Sequence, residues 1–163
     1  TYLPFKHRTE WTDRVAVDQR DAGVAFLRVF DEVARVASGG AMSGGADLPK
    51  LNRAGVMVSV RPELVFETAA SSRRRRVGFG KLIFSKTHPL SRDALTYAAA
   101  LVYQLARDIE GDAADPALCV VVDVFQGTMV TCPTSTKQRL RRVDAACHEI
   151  ALLWRELARE SAA

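Results

Sequence analysis

The run LCVVVDVF at residues 118–125 is the most apolar stretch of this 163-residue chain, and only Asp123 interrupts it. A continuous series of β-branched residues of this length is typical of a strand that is buried on both faces. The pair Gln126-Gly127 follows and favours a turn, so that residues 128–132 form a short partner strand. The stretch therefore predicts a buried strand of a β-sheet with a hairpin at its end.

Three further strand candidates lie upstream of this stretch. Residues 55–60 and 61–67 are rich in β-forming side chains, and Pro62 leaves open whether they form two strands or one kinked strand. Residues 77–86 are the third candidate, and a hairpin loop at 71–76 is predicted to lead into it. One helix then separates these candidates from the run that contains Asp123.

Helical periodicity marks three segments, each with one apolar stripe at three- and four-residue steps. The first covers residues 14–37, the second covers 92–109 with Ser91 as its cap, and the third begins after a cap at Thr134 or Ser135 and ends near Glu160. The stripes are Val24, Leu27, Phe30, Val33 and Ala37; then Leu95, Ala98, Val102, Leu105 and Ile109; then Leu140, Val143, Cys147, Ile150, Trp154 and Leu157. The third stripe is a narrow seam, which suits packing on a sheet or on another helix.

The order of these segments predicts a single α/β domain over residues 14–160, with a small mixed β-sheet flanked by three helices in the order α-β-β-β-α-β-β-α. Residues 1–13 are expected to form an N-terminal arm, and the glycine-rich stretch at 38–47 a flexible loop. The chain starts with Thr1 rather than Met, so we expect a trimmed chain or a piece of a longer protein.

The composition excludes several classes of protein. With 48% apolar and 26% charged residues, the chain is neither disordered, nor collagen-like, nor a disulfide-stapled miniprotein. No window is apolar enough for a membrane helix, and residues 1–10 lack the apolar stretch of a secretory signal. We therefore expect no membrane partner.

Three cysteines, Cys119, Cys132 and Cys147, form no CxxC pair and are odd in number, which fits a reducing cytoplasm. A zinc site that combines them with His148 is disfavoured, because adjacent Cys147 and His148 point to different sides of a helix. We therefore expect buried thiols and a cytoplasmic protein.

The net charge of +4, from 23 basic and 19 acidic residues, equals the charge of a single run, Arg73, Arg74, Arg75 and Arg76. Guanidinium groups bind phosphate oxygens in a forked geometry, so the run predicts a phosphate contact. A solvated loop between two strands is the alternative interpretation.

A second basic group, Lys137, Arg139, Arg141 and Arg142, lies at the start of the last helix. Cations at this end oppose the helix dipole, and a bound anion such as a nucleic-acid phosphate would offset that repulsion. Solvated charge that also pairs with Asp144 or Glu149 explains the group equally well.

Lys81 and Asp123 are charged residues inside predicted strands. Strand alternation places Lys81 on one face with apolar neighbours, where a cation needs an acid or a phosphate as partner. Asp123 needs a partner for the same reason, and it is predicted either to pair with Lys81 or to hold a metal. Glu63 and Glu67 share one face of their strand, which half-exposed alternation explains without chemistry.

Signatures of other enzyme classes are missing. The chain has no GxSxG motif, no P-loop and no GxGxxG fingerprint, and His7, His88 and His148 have no evident orienting acid nearby. Serine hydrolases and nucleotide-driven enzymes are therefore not expected.

With Pro62-Glu63 on the second strand and Phe79-Gly80-Lys81 on the third, the order helix, three strands, helix, strand resembles the PD-(D/E)XK nuclease superfamily over residues 22–132. The resemblance implies that Glu63 is the first acid that holds magnesium and that Lys81 orients the attacking water. The second acid should stand at position 79, where this chain has Phe79.

A metal with one carboxylate loses a ligand that it needs to generate hydroxide. Glu67 and Glu32 are candidates for a displaced second acid, and Gln104 is similar to the helical glutamine of the exonuclease-like branches.

We therefore expect a nucleic-acid-associated protein, for DNA or RNA, with a nuclease-like core that is inactive or partner-dependent. Lys81, Glu63 and Asp123 would form its residual centre, and the two basic groups its phosphate contacts. One alternative is a non-catalytic interaction subunit, as a homo-oligomer or in a larger bacterial assembly. The other is an active metal-dependent nuclease that uses Mg²⁺.

Overall fold

The computed structural model describes residues 5–36, 41–44, 48–68 and 74–160. The helices are α1 (Phe5–Val36), α2 (Arg92–Glu110) and α3 (Thr136–Glu160), and two short 3₁₀ turns cover Gly111–Ala113 and Pro116–Leu118. The strands are β1 (Ala41–Gly44), β2 (Leu51–Arg53), β3 (Val56–Val58), β4 (Leu64–Glu67), β5 (Val77–Ile83), β6 (Val120–Asp123) and β7 (Thr128–Thr131).

The main sheet has five strands in the order β1-β4-β5-β6-β7. β5 and β6 are parallel, and the other neighbours in this sheet are antiparallel. β2 and β3 form a separate antiparallel pair. The predicted α/β class, mixed sheet, three helices and segment order are confirmed, and β1 and β2 are strands that the sequence did not indicate.

The two faces of the main sheet carry different helices. α1 packs Ala25, Val29 and Val33 with Phe66 and Leu82 on one face. α2 covers the other face, where its Leu95, Val102 and Leu105 belong to the same buried cluster as Val77, Phe79 and Val121. Every residue of β6 is buried, as expected for the strand between two helical layers.

The α1 prediction needs two corrections. The helix begins at Phe5 rather than near residue 14, because no glycine or proline interrupts the sequence there and extending an existing helix is easier than starting one. The buried stripe is Ala25-Val29-Val33, whereas Leu27 is 71% exposed. Val33 belongs to both the predicted and the buried stripe, but toward the N-terminus the buried residues are Ala25 and Val29 in place of the predicted Val24, Leu27 and Phe30.

The structure corrects one loop prediction and decides one alternative that the sequence left open. Residues 41–44 of the predicted flexible loop form β1, which pairs with β4; residues 38–40 and 45–47 lie outside the described residues. β3 and β4 are not one kinked strand, because β3 pairs with β2 in the second sheet. The chain changes direction between them at Arg61, whose φ is 44°.

The start of α2 is as predicted: the Ser91 side chain accepts a hydrogen bond of 3.2 Å from the backbone of Ala94. The seam of α3 is buried at Leu140 and Cys147, but Trp154 further along the same helix is 68% exposed. Among the helices of the described residues, none has the length and apolarity that crossing a membrane requires.

Candidate functional site

Lys81 and Glu63 face each other across the β4–β5 pair. The Lys81 ammonium donates to Glu63 Oε1 at 2.5 Å and to the Arg61 carbonyl at 3.0 Å. The second carboxylate oxygen of Glu63 accepts the backbone N–H of Leu82 at 2.7 Å. The side chains of Lys81 and Glu63 are 27% and 38% exposed, so solvent reaches both. The acid that a strand lysine needs is therefore Glu63.

Asp123 is held by backbone groups instead of by Lys81. It is fully buried at the end of β6, opposite Ile83 in the parallel register. Its carboxylate accepts N–H groups from Leu90 at 3.4 Å and from Gln126 at 3.1 Å. The predicted Lys81–Asp123 ion pair is wrong, because Asp123 instead ties the approach to α2 and the β6–β7 turn to the sheet.

Position 79, where the nuclease pattern has its second acid, is closed to a metal. Phe79 is 2% exposed and belongs to the core under α2. Glu67 lies opposite Val77, four residues along β5 from Lys81 and thus about 13 Å away. Within the described part of the chain, no three His, Cys, Asp or Glu side chains are grouped closely enough to hold a metal ion.

Glu32, the other displaced-acid candidate, borders a separate cleft with Thr68, Arg76 and Asp115. Thr68 lies just beyond the end of β4, and Arg76 just before the start of β5. This cleft is therefore at the opposite end of β5 from Lys81, and neither displaced acid joins Glu63.

The arginine run makes contacts within the protein. Arg75 binds Glu67 and Glu110, each at 2.8 Å. The hydrogen bond to Glu110 is the largest cause of a raised pKa of the Arg75 guanidinium, and the hydrogen bond to Glu67 is the next largest. Arg76 binds the buried Asp115 at 2.6 Å. Arg73 lies outside the described residues, and Arg74 is exposed. Two of the four predicted phosphate ligands thus connect β5 to the C-terminal end of α2 and the turn after it.

The basic group of α3 divides into bound and unbound cations. Arg139 binds Asp93 at 2.7 Å and lies 4.7 Å from the centre of the Tyr97 ring. Arg142 donates to the Tyr97 hydroxyl at 3.2 Å. Lys137 and Arg141 are exposed, and neither forms an ion pair with any described residue.

Asp144, one of the predicted partners of this group, binds Arg53 of β2 at 2.7 Å instead. The ion pair connects α3 to the second sheet. Asp144 therefore neutralises Arg53 and no cation of the basic group at the start of α3.

The two basic groups do not form one patch. Arg75 is bound at the C-terminal end of α2 through Glu110, and Arg139 at the N-terminal end through Asp93. These two acids are 17 positions apart on the helix, which corresponds to about 26 Å along the axis.

An ion-pair cluster around Lys86 is a feature that was not predicted from the sequence. Its ammonium binds Asp18 and Asp21 of α1 at 3.1 and 2.7 Å and lies 5.9 Å from the centre of the Phe125 ring. The hydrogen bond from Lys86 lowers the pKa of Asp21. Lys86 was predicted only as the end of a strand, because its partners come from a distant helix.

The three cysteines are free thiols, as expected. Cys119 and Cys147 are buried and Cys132 is half-buried. Burial raises the pKa of Cys119 to about 12, so this thiol is protonated at neutral pH. Cys132 lies next to it, with its backbone N–H bonded to the Cys119 carbonyl at 2.9 Å.

Gln104 is not part of the Lys81 site. Its amide donates to Asp108 on the same helix at 2.7 Å, and both residues line a separate cleft beside α3. No known protein family, no characterised protein and no solved structure matches the chain. A functional proposal therefore depends on the geometry described above.

Proposed function

We propose that this chain is a nucleic-acid-associated protein with a nuclease-like core that is inactive or depends on a partner. The observation that carries the proposal is the 2.5 Å contact between Glu63 and Lys81 on adjacent strands. These are the residues at the positions of the first acid and the lysine in the nucleases that the sequence resembles. The order α1, β1, β4, β5, α2, β6 in and around the main sheet further supports it, because helix, three strands, helix, strand is the order on which the resemblance depends; β1 takes the place of the strand predicted at residues 55–60, which forms β3 of the second sheet.

The proposed lack of independent catalysis follows from the charges at this site. Glu63 has one oxygen on Lys81 and the other on a backbone N–H, and Phe79 replaces the second acid. A divalent cation here would displace Lys81 from the only carboxylate of the pair, with no second carboxylate to hold it. A partner that supplies acidic groups would remove this obstacle.

The exposed cations Lys137 and Arg141 are the strongest candidates for phosphate contacts. Arg75, Arg76 and Arg139 already neutralise carboxylates, so a phosphate would have to displace an existing partner. Two phosphate contacts imply a modest salt dependence: affinity should fall about tenfold between about 50 and 200 mM salt.

The test is fluorescence anisotropy of labelled single- and double-stranded DNA and RNA at these two salt concentrations. We expect saturable, salt-sensitive binding that Lys137→Gln with Arg141→Gln weakens. The matched control is Lys50→Gln with Arg155→Gln, which removes the same charge from other exposed positions. Absence of binding to every probe at low salt would overturn the proposal, and so would equal losses in both double variants.

The same samples, incubated with Mg²⁺ and analysed for the length of the probes, test the active-nuclease alternative. Probes that are shortened by the wild type and remain intact with Lys81→Met would support catalysis at the Glu63–Lys81 site. Cleavage that survives Lys81→Met would exclude the Glu63–Lys81 site as its source. Intact probes with the wild type would count against independent catalysis.

A second candidate function, a non-catalytic interaction subunit, is favoured by the C-terminal half of α3. Ile150, Leu153 and Trp154 are 41%, 58% and 68% exposed, and Ile150 and Trp154 continue the buried Leu140–Cys147 seam. At this exposure Trp154 alone leaves about 170 Å² open to water. The occupant that a repeating seam fits best is the same seam of a second copy, because a two-fold axis makes one patch its own partner.

Sedimentation equilibrium over a wide concentration range tests this candidate. We expect a dimer that Trp154→Glu dissociates, while the exposed control substitution Arg155→Gln leaves it intact. A wild-type protein that stays monomeric at high concentration would eliminate self-association through α3.

A further inference from the structure

A second concave site lies between the C-terminal half of α2, the end of β7 and the start of α3. Its volume is about 890 Å³, within the range of small-molecule sites. Its lining includes Tyr103, Arg107 and Asp108 of α2 and Lys137 of α3, and it includes neither Glu63 nor Lys81. The cleft is therefore separate from the proposed nuclease-like centre.

The cleft holds two cations that the rest of the protein does not neutralise. Arg107 and Lys137 are exposed, come from different helices, and have no ion-pair partner among the described residues. This distinguishes them from Arg75, Arg76 and Arg139, each of which binds a carboxylate. Two unneutralised cations on facing helices suit one multivalent anion, and a guanidinium with an ammonium is a common combination around phosphate.

Asp108 adds an oriented acceptor to the same cleft. The Gln104 amide donates to its Oδ1 at 2.7 Å, which fixes the carboxylate and leaves its other oxygen available to a ligand. A carboxylate beside a phosphate site recognises hydroxyl donors, as it does for ribose in dinucleotide-binding folds. The half-buried Tyr103 lines the cleft as well and offers an aromatic ring for a planar base.

We infer that this cleft binds a nucleoside monophosphate unit. The phosphate contacts Arg107 and Lys137, a ribose hydroxyl donates to Asp108, and the base packs against Tyr103. The unit is a free mononucleotide or the terminal nucleotide of a strand, since both present the same groups. The inference does not depend on the proposed function, because a free mononucleotide would occupy the cleft whether or not the protein binds nucleic acid.

The first test is titration of ¹⁵N-labelled wild-type protein with adenosine monophosphate. Amide shifts should be largest in residues 103–108 and 131–140, with weaker responses to adenosine or inorganic phosphate alone. A 5′-phosphorylated oligonucleotide distinguishes a strand end from the free mononucleotide. Saturable shifts centred elsewhere, or no saturable shifts with any of these probes, would overturn the inference without relying on a variant.

The second test compares charge-matched variants by calorimetry with the same nucleotide. Arg107→Gln and Lys137→Gln should each reduce affinity about tenfold, because each loses a charged hydrogen bond. Arg92→Gln removes the same charge from the other end of α2 and should leave affinity unchanged. Equal losses of affinity in all three variants would mean that the nucleotide responds only to the net charge of the protein, and this result would overturn the inference.

Asp108→Asn separates the two halves of the ligand. The substitution should lower the affinity for adenosine monophosphate but not the affinity for inorganic phosphate, since only the nucleotide has a ribose. A lower affinity for both ligands, or an unchanged affinity for both, would contradict the assigned role of Asp108. Mononucleotide binding at the cleft without any oligonucleotide binding would remove the proposed function alone. Oligonucleotide binding that shifts no amide of the cleft, together with no mononucleotide binding, would remove this inference alone.

Discussion

Replacement of Gly78 by alanine should destabilise the sheet more than any other glycine-to-alanine change in β5. The turn that ends at Leu118 passes directly over Gly78, and an added Cβ would stand 2.3 Å from the Leu118 carbonyl oxygen and 2.4 Å from its carbonyl carbon. Both atoms belong to the backbone, so no rotamer change relieves the overlap. Either β5 or the turn must move.

Two other glycines provide a graded comparison. A Cβ at Gly80 would meet the ring of Phe66 at 2.8 Å, and a ring can shift within the core. A Cβ at Gly44 would meet nothing within 4 Å. Overpacking of a core costs about 1–3 kcal/mol, so we expect about that for Gly80→Ala and more than about 3 kcal/mol for Gly78→Ala. Gly44→Ala should be neutral or stabilising by about 0.5 kcal/mol, because alanine restricts the unfolded chain.

The assay is urea unfolding followed by circular dichroism, with free energies from linear extrapolation and a check that the m-value is unchanged. The reasoning is refuted if Gly78→Ala has a free energy of unfolding within about 0.5 kcal/mol of Gly44→Ala. That result would mean that the Leu118 backbone does not lie against β5.

Three further predictions concern ionisable side chains. Asp123→Asn should lower the free energy of unfolding in urea by about 1–3 kcal/mol, because an amide nitrogen replaces one of the two oxygens that accept backbone N–H groups; an unchanged value would contradict this role. The Cys119 thiol, with its pKa raised to about 12, should not react with Ellman's reagent in the native protein near pH 8 and should react after unfolding; rapid native labelling assigned to Cys119 by mass spectrometry would contradict its burial. Because Lys86 lowers the pKa of Asp21 below 3.8, their pair should stabilise the protein above this pH and lose its effect as pH falls through the lowered pKa. Wild type and Lys86→Gln should therefore differ in thermal midpoint near pH 6 and converge in acid, and a constant difference would contradict the linkage.

The parts of the fold that could be predicted are those in which local sequence and tertiary environment agree. The run at 118–125 is apolar at nearly every position and becomes a strand covered on both faces. Ser91 precedes a strongly periodic segment and caps α2. In α1 the local sequence does not determine the buried face, since Leu27 and Val29 both fit a helical stripe. Only packing against the sheet selects Val29.

The candidate site was predictable in its residue types but not in its pairing. Alternation required an acid near Lys81, yet Glu63 and Asp123 were both available in sequence. The choice depends on register: Glu63 extends the β4–β5 pair next to Lys81, whereas Asp123 lies opposite Ile83. The ion pairs of Arg75, Arg76 and Lys86 also join distant segments, so the sequence could not show which cations are already neutralised.

The parallel pairing of β5 with β6 has a consequence for the kinetics of folding. The hairpins β4–β5 and β6–β7 close across short loops, with Glu67 opposite Val77 and Asp123 opposite Thr128, whereas Gly80 must find Val120 across 40 residues. Closing that longer loop loses more chain entropy before any contact compensates for it. α2 lies within this loop and packs against both strands, so its docking shortens the search. We therefore expect the two hairpins to form early from local contacts and the docking of α2, which brings them side by side, to limit the rate at which the whole sheet assembles.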